Sequence, residues 1–307
     1  MRIGIIGCGA VGSLFAAHTA QLDDVEVWAY DVWEEHVAAI NENGLRLTGV
    51  EEVHSRPTAT TDPAALPPLD FGIVATKGMY TRSAIEATAH AFADGAVCSV
   101  QNGVGNEEII AEYVPRVIRG TTFPAGRVTA PGVVQFDLAG ATQIGPFEPK
   151  PATMDEIERL AAILSRGGME TIPLQDARGA QWTKLIFNAA SNALCSLTQL
   201  PHGRAASNEE VRWVMDRVVE EGKQVASALG IEMEKDPAVL LEESIPVAFD
   251  HKPSMLQDVL ARRPTEIDQL NGGICAFGDE TGIATPMNRA AWYLIKGLEA
   301  SWTLEEQ

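Results

Sequence analysis

The chain has 307 residues, 46% of them hydrophobic, enough to build more than one core, so two domains are expected. Acidic side chains outnumber basic ones by 42 to 23, for a formal charge of −19, and no basic cluster exceeds short pairs such as Arg262-Arg263; this excludes a nucleic-acid binder, which needs a basic footprint, and makes the excess acid a solvated surface. No apolar run reaches the length of a membrane span, the glycine-broken N-terminus does not read as a signal peptide, and the four scattered cysteines read as buried free thiols, so a cytoplasmic protein is expected.

In chain order, "RIGIIG" reads as a buried strand, "AVGSLFAAHTAQL" as a helix and "VEVWAYD" as a second strand. Further strands follow in "DFGIVATK", "AVCSVQNG" and "ETIPL", with helices in "EEHVAAINENG", "RSAIEATAHAF" and "EEIIAEYV". Such alternation predicts a parallel sheet covered on both faces. The stretch from Val117 to Ile144, rich in β-branched residues and glycine, reads as antiparallel strands attached to that sheet domain. After Leu174 the strand signals stop. Five segments read as helices: "AQWTKLIFNAASNALCSL", "SNEEVRWVMDRVVEEGKQVASALG", "SMLQDVLARR", "TEIDQLNGGICAFGDETG" and "MNRAAWYLIKGLEA". Ser207 and Glu210 have the spacing of a capping box, and Gly230 is placed to end a helix. The predicted fold class is α/β. A Rossmann-type doubly wound sheet domain at 1–175 is followed by a mainly helical domain at 176–307.

Gly7, Gly9 and Gly12 form G-x-G-x-x-G after the first strand and at the opening of a helix, enclosing Ala10 and Val11. Gly7 permits the tight turn, Gly9 presents no side chain to a pyrophosphate, and Gly12 lets the helix pack close to the sheet; the helix N-terminus then favours the phosphates. Asp31 ends the second strand, where a carboxylate accepts bonds from ribose hydroxyls and repels a 2′-phosphate. NAD(H) is therefore expected over NADP(H). The plainer reading of Asp31 is a turn or helix-capping aspartate. Lys77 in "ATKG" and Asn102 in "VQNG" end later strands at the edge where ligands bind in such sheets, although both suit an ordinary loop.

In the helical half, Lys184, Asn188 and Asn192 are spaced i, i+4, i+8 and share one stripe of an otherwise apolar helix. Unpaired buried polar groups are costly, so these three either satisfy one another and the backbone or line a polar cavity. A second cluster holds Ser254, Asp258, Glu266 and Asp268. Thr265 after Pro264 has the look of a helix cap, which makes Glu266 an acid of a first helical turn.

With these residues in place, the sequence resembles the ketopantoate reductase (2-dehydropantoate 2-reductase) family nearly end to end. The resemblance runs through "GCGAVG", "ATKG", "QNGVGN", "WTKLIFNAASN" and "SMLQDVLARRPTEIDQLNG", the last two being the discriminating ones. It implies an oxidoreductase moving a hydride between a nicotinamide cofactor and a 2-oxo acid. Lys184 would be the general acid, and Glu266 would bind the far hydroxyl of the substrate and organise the lysine. Ser254 would bind polar groups of the substrate, Asn188 and Asn192 would position it, and Asn102 would lie near the nicotinamide. Two positions depart from the family pattern. Many members carry an arginine for the NADP phosphate where Asp31 stands, while Lys77 keeps some NADP(H) use open. The family's "PNG" reads Pro201-His202-Gly203 here, so His202 either alters substrate recognition or is a loop histidine. The leading substrate pair is ketopantoate and D-pantoate. A different 2- or 3-hydroxy acid is the alternative, and a non-catalytic NAD(H)-binding regulator a weaker one. The expected partner is a small molecule, with no metal, no nucleic acid and no membrane; a homodimer is left open.

Overall fold

The computed structural model describes residues 1–302, which divide into two compact units: residues 1–101 with 106–177, and residues 102–105 with 178–302. The segment Asn102–Gly105 leaves the sheet half of the chain and groups with the helical half.

The first unit opens with β1 (Arg2–Ile6), α1 (Ala10–Thr19), β2 (Glu26–Tyr30), α2 (Glu34–Asn43), β3 (Leu45–Gly49), β4 (Val53–Ser55) and β5 (Thr58–Thr60). It continues with β6 (Phe71–Val74), α3 (Thr81–Thr88), β7 (Ala96–Ser99), α4 (Asn106–Tyr113), β8 (Val117–Thr122), β9 (Ala125–Ala130), β10 (Val133–Leu138), β11 (Thr142–Pro146), α5 (Met154–Gly167) and β12 (Thr171–Pro173). The main sheet has the order β12-β11-β8-β7-β6-β1-β2-β5. Six strands, β5 to β8 in that row, are mutually parallel, and their order reverses between β1 and β6. That reversal is the switch point of a doubly wound sheet, where strand-end loops diverge and leave a crevice. β6 and β7 are buried at every residue, as parallel strands covered on both faces must be.

A second sheet, β4-β3-β10-β9, packs over α1. α1 is therefore enclosed between two sheets. Its residues from Gly12 to Thr19 are all buried, which explains why the helix is apolar all round rather than striped. The 117–144 region is more mixed than the antiparallel reading of the sequence. β8 pairs parallel with β7 and antiparallel with β11, and β9 and β10 form an antiparallel pair in the second sheet. The three short strands β3, β4 and β5 and the helix α5 carry no expectation from the sequence. α5 nevertheless has a complete capping box, Thr153 with Glu156, and a left-handed glycine at its end, Gly168.

The second unit is built around α6 (Arg178–Thr198), followed by α7 (His202–Ala206), α8 (Glu209–Ala228), α9 (Pro237–Val247), α10 (Ser254–Leu260), α11 (Asn271–Thr281) and α12 (Pro286–Trp302). Its core gathers Trp182, Ile186, Met215, Leu241, Leu256, Ile274 and Ile295 around α6. Gly230 stops α8 with a positive φ of 67°, as expected. The cap at the other end of α8 is Asn208, whose side chain accepts from Val211 N; Ser207 belongs to the end of α7. The expected helix from Thr265 starts later. Glu266 lies at a bend, residues 267–270 form a turn, and α11 begins at Asn271, so Glu266 is not a first-turn acid. Cys8, Cys98, Cys195 and Cys275 are all buried and free. Among the described residues no helix is long and apolar enough to cross a membrane.

Candidate active site

In the sheet unit the glycines do what their positions require. Gly7 leaves β1 at φ 89°, and a Cβ there would lie 2.5 Å from the Thr76 side chain. A Cβ on Gly12 would lie 1.9 Å from Gly7 O, so only glycine lets α1 approach the end of β1. Gly9 differs: a Cβ there would meet nothing within 4 Å, so it borders open space. Gly9 caps α1 without a side-chain bond, and the first-turn N–H groups at Ala10, Val11 and Gly12 lie beyond it. These N–H groups have no intrahelical acceptor and carry the positive end of the helix dipole. An open glycine in front of a buried helix suits a pyrophosphate.

Asp31 is tied to this loop. One carboxylate oxygen accepts Cys8 N–H at 2.6 Å and the other accepts Trp33 N–H at 2.9 Å. The second bond is the turn the plainer reading expected, although the residue capping α2 is Trp33. The first bond holds the carboxylate against the fingerprint loop, and each oxygen keeps acceptor capacity for a further donor. At the ends of β6 and β7, Lys77 opens a short 3-10 turn at Gly78–Tyr80. Gln101, which the sequence reading did not single out, braces these ends. Its buried amide nitrogen donates to Thr76 O at 3.0 Å, Thr76 Oγ1 at 3.2 Å and Thr81 Oγ1 at 2.8 Å.

In the helical unit Lys184, Asn102 and Glu266 come together from three distant segments. Lys184 Nζ donates to Asn102 Oδ1 at 2.9 Å, and Asn102 Nδ2 donates to Glu266 Oε2 at 3.2 Å. The cation at one end and the carboxylate at the other leave only one orientation of the Asn102 amide, oxygen toward lysine and nitrogen toward glutamate. Burial of the Lys184 ammonium, on a half-buried side chain, pushes its pKa down from 10.5 to about 8, against an upward pull from Glu266. Asn102 is held in turn by its own loop: Val104 N donates to Gln269 O at 3.1 Å, and Gln181 Nε2 donates to Gly103 O at 3.4 Å.

The rest of the polar stripe does not bond to itself. Asn192 is buried, and its Oδ1 accepts Met255 N at 3.1 Å and Ser254 Oγ at 3.3 Å. It therefore caps the first turn of α10 and holds Ser254, itself exposed. Asn188, half-buried, lies between Lys184 and Asn192 on the same stripe. Asp258 is buried one turn after Ser254 and pairs with Arg263 at 3.1 Å. His202 is neither a loop residue nor open to a ligand. It begins α7, is 2% exposed, and its ring nitrogens lie 2.7 Å from Ser191 Oγ and 2.7 Å from Ser244 Oγ. Burial holds its pKa down at about 4, so the ring is neutral. Among the described residues no cluster of His, Cys, Asp or Glu is arranged to hold a metal ion.

Comparison with known proteins places both units. Residues 3–149 match the family Ketopantoate reductase PanE/ApbA, and residues 176–299 match Ketopantoate reductase PanE/ApbA C terminal. A 2-dehydropantoate 2-reductase of Pyrococcus abyssi is 34% identical, covering 98% of each chain. Among solved structures, a PanE/ApbA family ketopantoate reductase from Ralstonia eutropha JMP134 superposes with a TM-score of 0.88 at 33% identity, over 98% of this chain and 99% of that one. A D-mandelate dehydrogenase solved with NADH and anilino(oxo)acetate gives 0.89 at 27% identity over the same shares. With both units matched and relatives this similar along the full chain, the protein belongs to the ketopantoate reductase family, NAD(P)-dependent oxidoreductases acting on CH–OH groups.

Proposed function

We propose that this chain interconverts a small 2-oxo acid and its 2-hydroxy acid using NAD(H), with ketopantoate and D-pantoate as the substrate pair. The observation that carries this reading is the line Lys184–Asn102–Glu266. A lysine with a pKa of about 8 is mostly ammonium at neutral pH yet gives up its proton readily. Asn102 accepts from Nζ and so fixes the direction from which the ammonium meets a substrate oxygen. Lys184 then stabilises the alkoxide developing from the ketone and protonates it; in the reverse direction the neutral amine removes the hydroxyl proton. When bound, the nicotinamide cofactor supplies or accepts the hydride. Glu266 holds Asn102 with one oxygen and binds the far hydroxyl of the substrate. Ser254, supported by Asn192, binds the substrate carboxylate, and Asn188 lines the same stripe.

Gly7, Gly9, Ala10, Val11 and Gly12 hold the cofactor pyrophosphate, with Lys77 beside the adenosine end. The preference for NAD(H) rests on charge. Asp31 is followed by Glu34 and Glu35 in the first turn of α2, and a 2′-phosphate would meet acids rather than an arginine. A second reading keeps the chemistry and changes the acid: the likeness to D-mandelate dehydrogenase favours a bulkier 2-hydroxy acid. One screen separates the two. NADH oxidation is followed with ketopantoate, benzoylformate and branched 2-oxo acids, and repeated with NADPH. Highest kcat/KM on ketopantoate with NADH is expected. Highest kcat/KM on benzoylformate installs the second reading, and a strong preference for NADPH removes the role given to Asp31.

A further inference from the structure

Glu266 sits on a segment with no regular structure of its own. Gln269 N and Leu270 N both donate to Glu266 O at 3.1 Å, closing a turn over residues 267–270 that belongs to no strand or helix. Its position is set from outside, by one face of α12. Glu299 Oε1 accepts Thr265 N at 2.8 Å and Thr265 Oγ1 at 2.7 Å. Trp292 Nε1 donates to Asp268 Oδ1 at 2.6 Å, and Lys296 Nζ donates to Asp268 Oδ2 at 2.9 Å while lying 3.3 Å from Glu299 Oε2. Residues 292, 296 and 299 follow the i, i+4, i+7 pattern of a single helical stripe. They grip the turn on both sides of Glu266.

The two grips are unequal. The Asp268–Lys296 pair is nearly half exposed on both sides, where ion pairs contribute little. The Glu299 side chain is only 15% exposed, and Thr265 is buried. Charge-assisted bonds made there are short, directional and poorly replaced by water. Thr265 also takes Ile267 N on its hydroxyl at 3.4 Å, so the residues before and after Glu266 are referenced to the same carboxylate.

We propose that Glu299 is a positioning residue: by holding Thr265 it sets Glu266 against Asn102, and through Asn102 it orients Lys184. This rests on the roles given above to Lys184 and Glu266. Glu299 acts through its bonds to Thr265 and not on the reacting groups themselves. Charged groups facing the turn include Lys296 and Glu299 from α12, Lys184 from α6 and the turn's own Asp268. The charge acting on Lys184 is that of Glu266.

The test compares six variants of the full-length enzyme, each checked for folding by circular dichroism and thermal melting. Glu299→Ala is expected to lower kcat about tenfold with little change in KM for the dinucleotide. It should also move the alkaline limb of the reduction profile to lower pH, because a displaced Glu266 no longer pulls the lysine pKa upward. Glu299→Gln keeps the acceptor oxygen and should recover most of the loss. Thr265→Val removes the hydroxyl bond alone and should give a smaller loss with a limb shift of the same sign. Arg289→Ala breaks a surface pair between α12 and Asp279 of α11 and should change nothing. A folded Glu299→Ala enzyme with wild-type kcat and an unmoved limb overturns the proposal, as does a Glu299→Gln enzyme as impaired as Glu299→Ala. If Glu299→Ala does not fold, the limb of Thr265→Val decides in the same way. Lys184→Ala and Glu266→Gln guard the underlying reading. If both stay active, that reading falls; if both are dead while Glu299→Ala is not, only the positioning role falls.

Discussion

In the sheet unit the groups proposed to hold the cofactor are mostly main-chain: first-turn N–H groups of α1 behind an open Gly9, with one side chain, the Asp31 carboxylate, already bonded to two backbone amides. In the helical unit they are side chains: a lysine, an amide and a carboxylate drawn from residues 102, 184 and 266. Backbone N–H groups cannot titrate and offer one fixed geometry, which suits holding a pyrophosphate. A lysine of depressed pKa beside an amide can move a proton, which suits chemistry. The two units should therefore fail differently, one in cofactor affinity and choice, the other in turnover.

The largest effect expected is at Lys184. Lys184→Ala should lower kcat by about 100- to 10,000-fold, the range for losing a general acid, while NADH affinity measured by fluorescence titration changes little. Comparable losses of kcat and of NADH affinity would break the division of labour. Next comes Asp31. Asp31→Arg should shift the NADH/NADPH ratio of kcat/KM by about 100-fold toward NADPH, or ~2.7 kcal/mol, with the best kcat retained. An unchanged ratio would show that selectivity is set elsewhere.

Smaller again is the pH dependence. With Lys184 near 8, reduction needs the ammonium and should lose about tenfold in kcat/KM per pH unit above that value. Oxidation of the hydroxy acid needs the amine and should rise to a plateau over the same interval. Parallel profiles in the two directions would remove Lys184 as the titrating group.

How far these features are legible in the sequence follows the same divide. Gly7 and Gly12 are readable because each meets a backbone demand that no other residue satisfies, and the demand is local. Lys184, Asn188 and Asn192 are readable because polar residues on one stripe of an apolar helix contradict their surroundings. Asn102 is only half readable. Its motif marks a turn after a strand, but nothing in "VQNG" tells that residues 102–105 group with the helical unit. Glu266 misleads for a physical reason. Pro264-Thr265 has the grammar of a helix start, yet the Thr265 hydroxyl and N–H are both spent on Glu299, and the helix is delayed to Asn271. Gln101 and Glu299 leave no local signal, since each acts through partners that only the tertiary fold brings near.

The smallest effect concerns stability, and it sets one buried histidine from each unit against the other. His202 is fully paired. Ser244 gives its hydroxyl proton to Leu241 O at 2.8 Å, so it accepts from His202 Nε2–H, and Nδ1 accepts from Ser191. His18 on α1 is equally buried, but its ring nitrogens make no well-formed hydrogen bond among the described residues beyond a weaker contact with the Gly167 backbone. His202→Ala should cost about 1–3 kcal/mol in urea unfolding at neutral pH, because it takes the imidazole acceptor from the buried Ser191 hydroxyl and a donor from Ser244. His18→Leu should lie within about 1 kcal/mol of wild type or above it, because it removes a poorly satisfied polar group. Burial lowers both folded-state pKa values below 6.5, His202 to about 4. The unfolded chain therefore binds more protons below about pH 6.5, and stability falls as pH drops toward 4. Both substitutions should flatten that acid slope. Only His202→Ala should also lower the neutral-pH plateau, and equal plateaus would mean that the Ser191–His202–Ser244 bridge between α6 and α9 contributes nothing net.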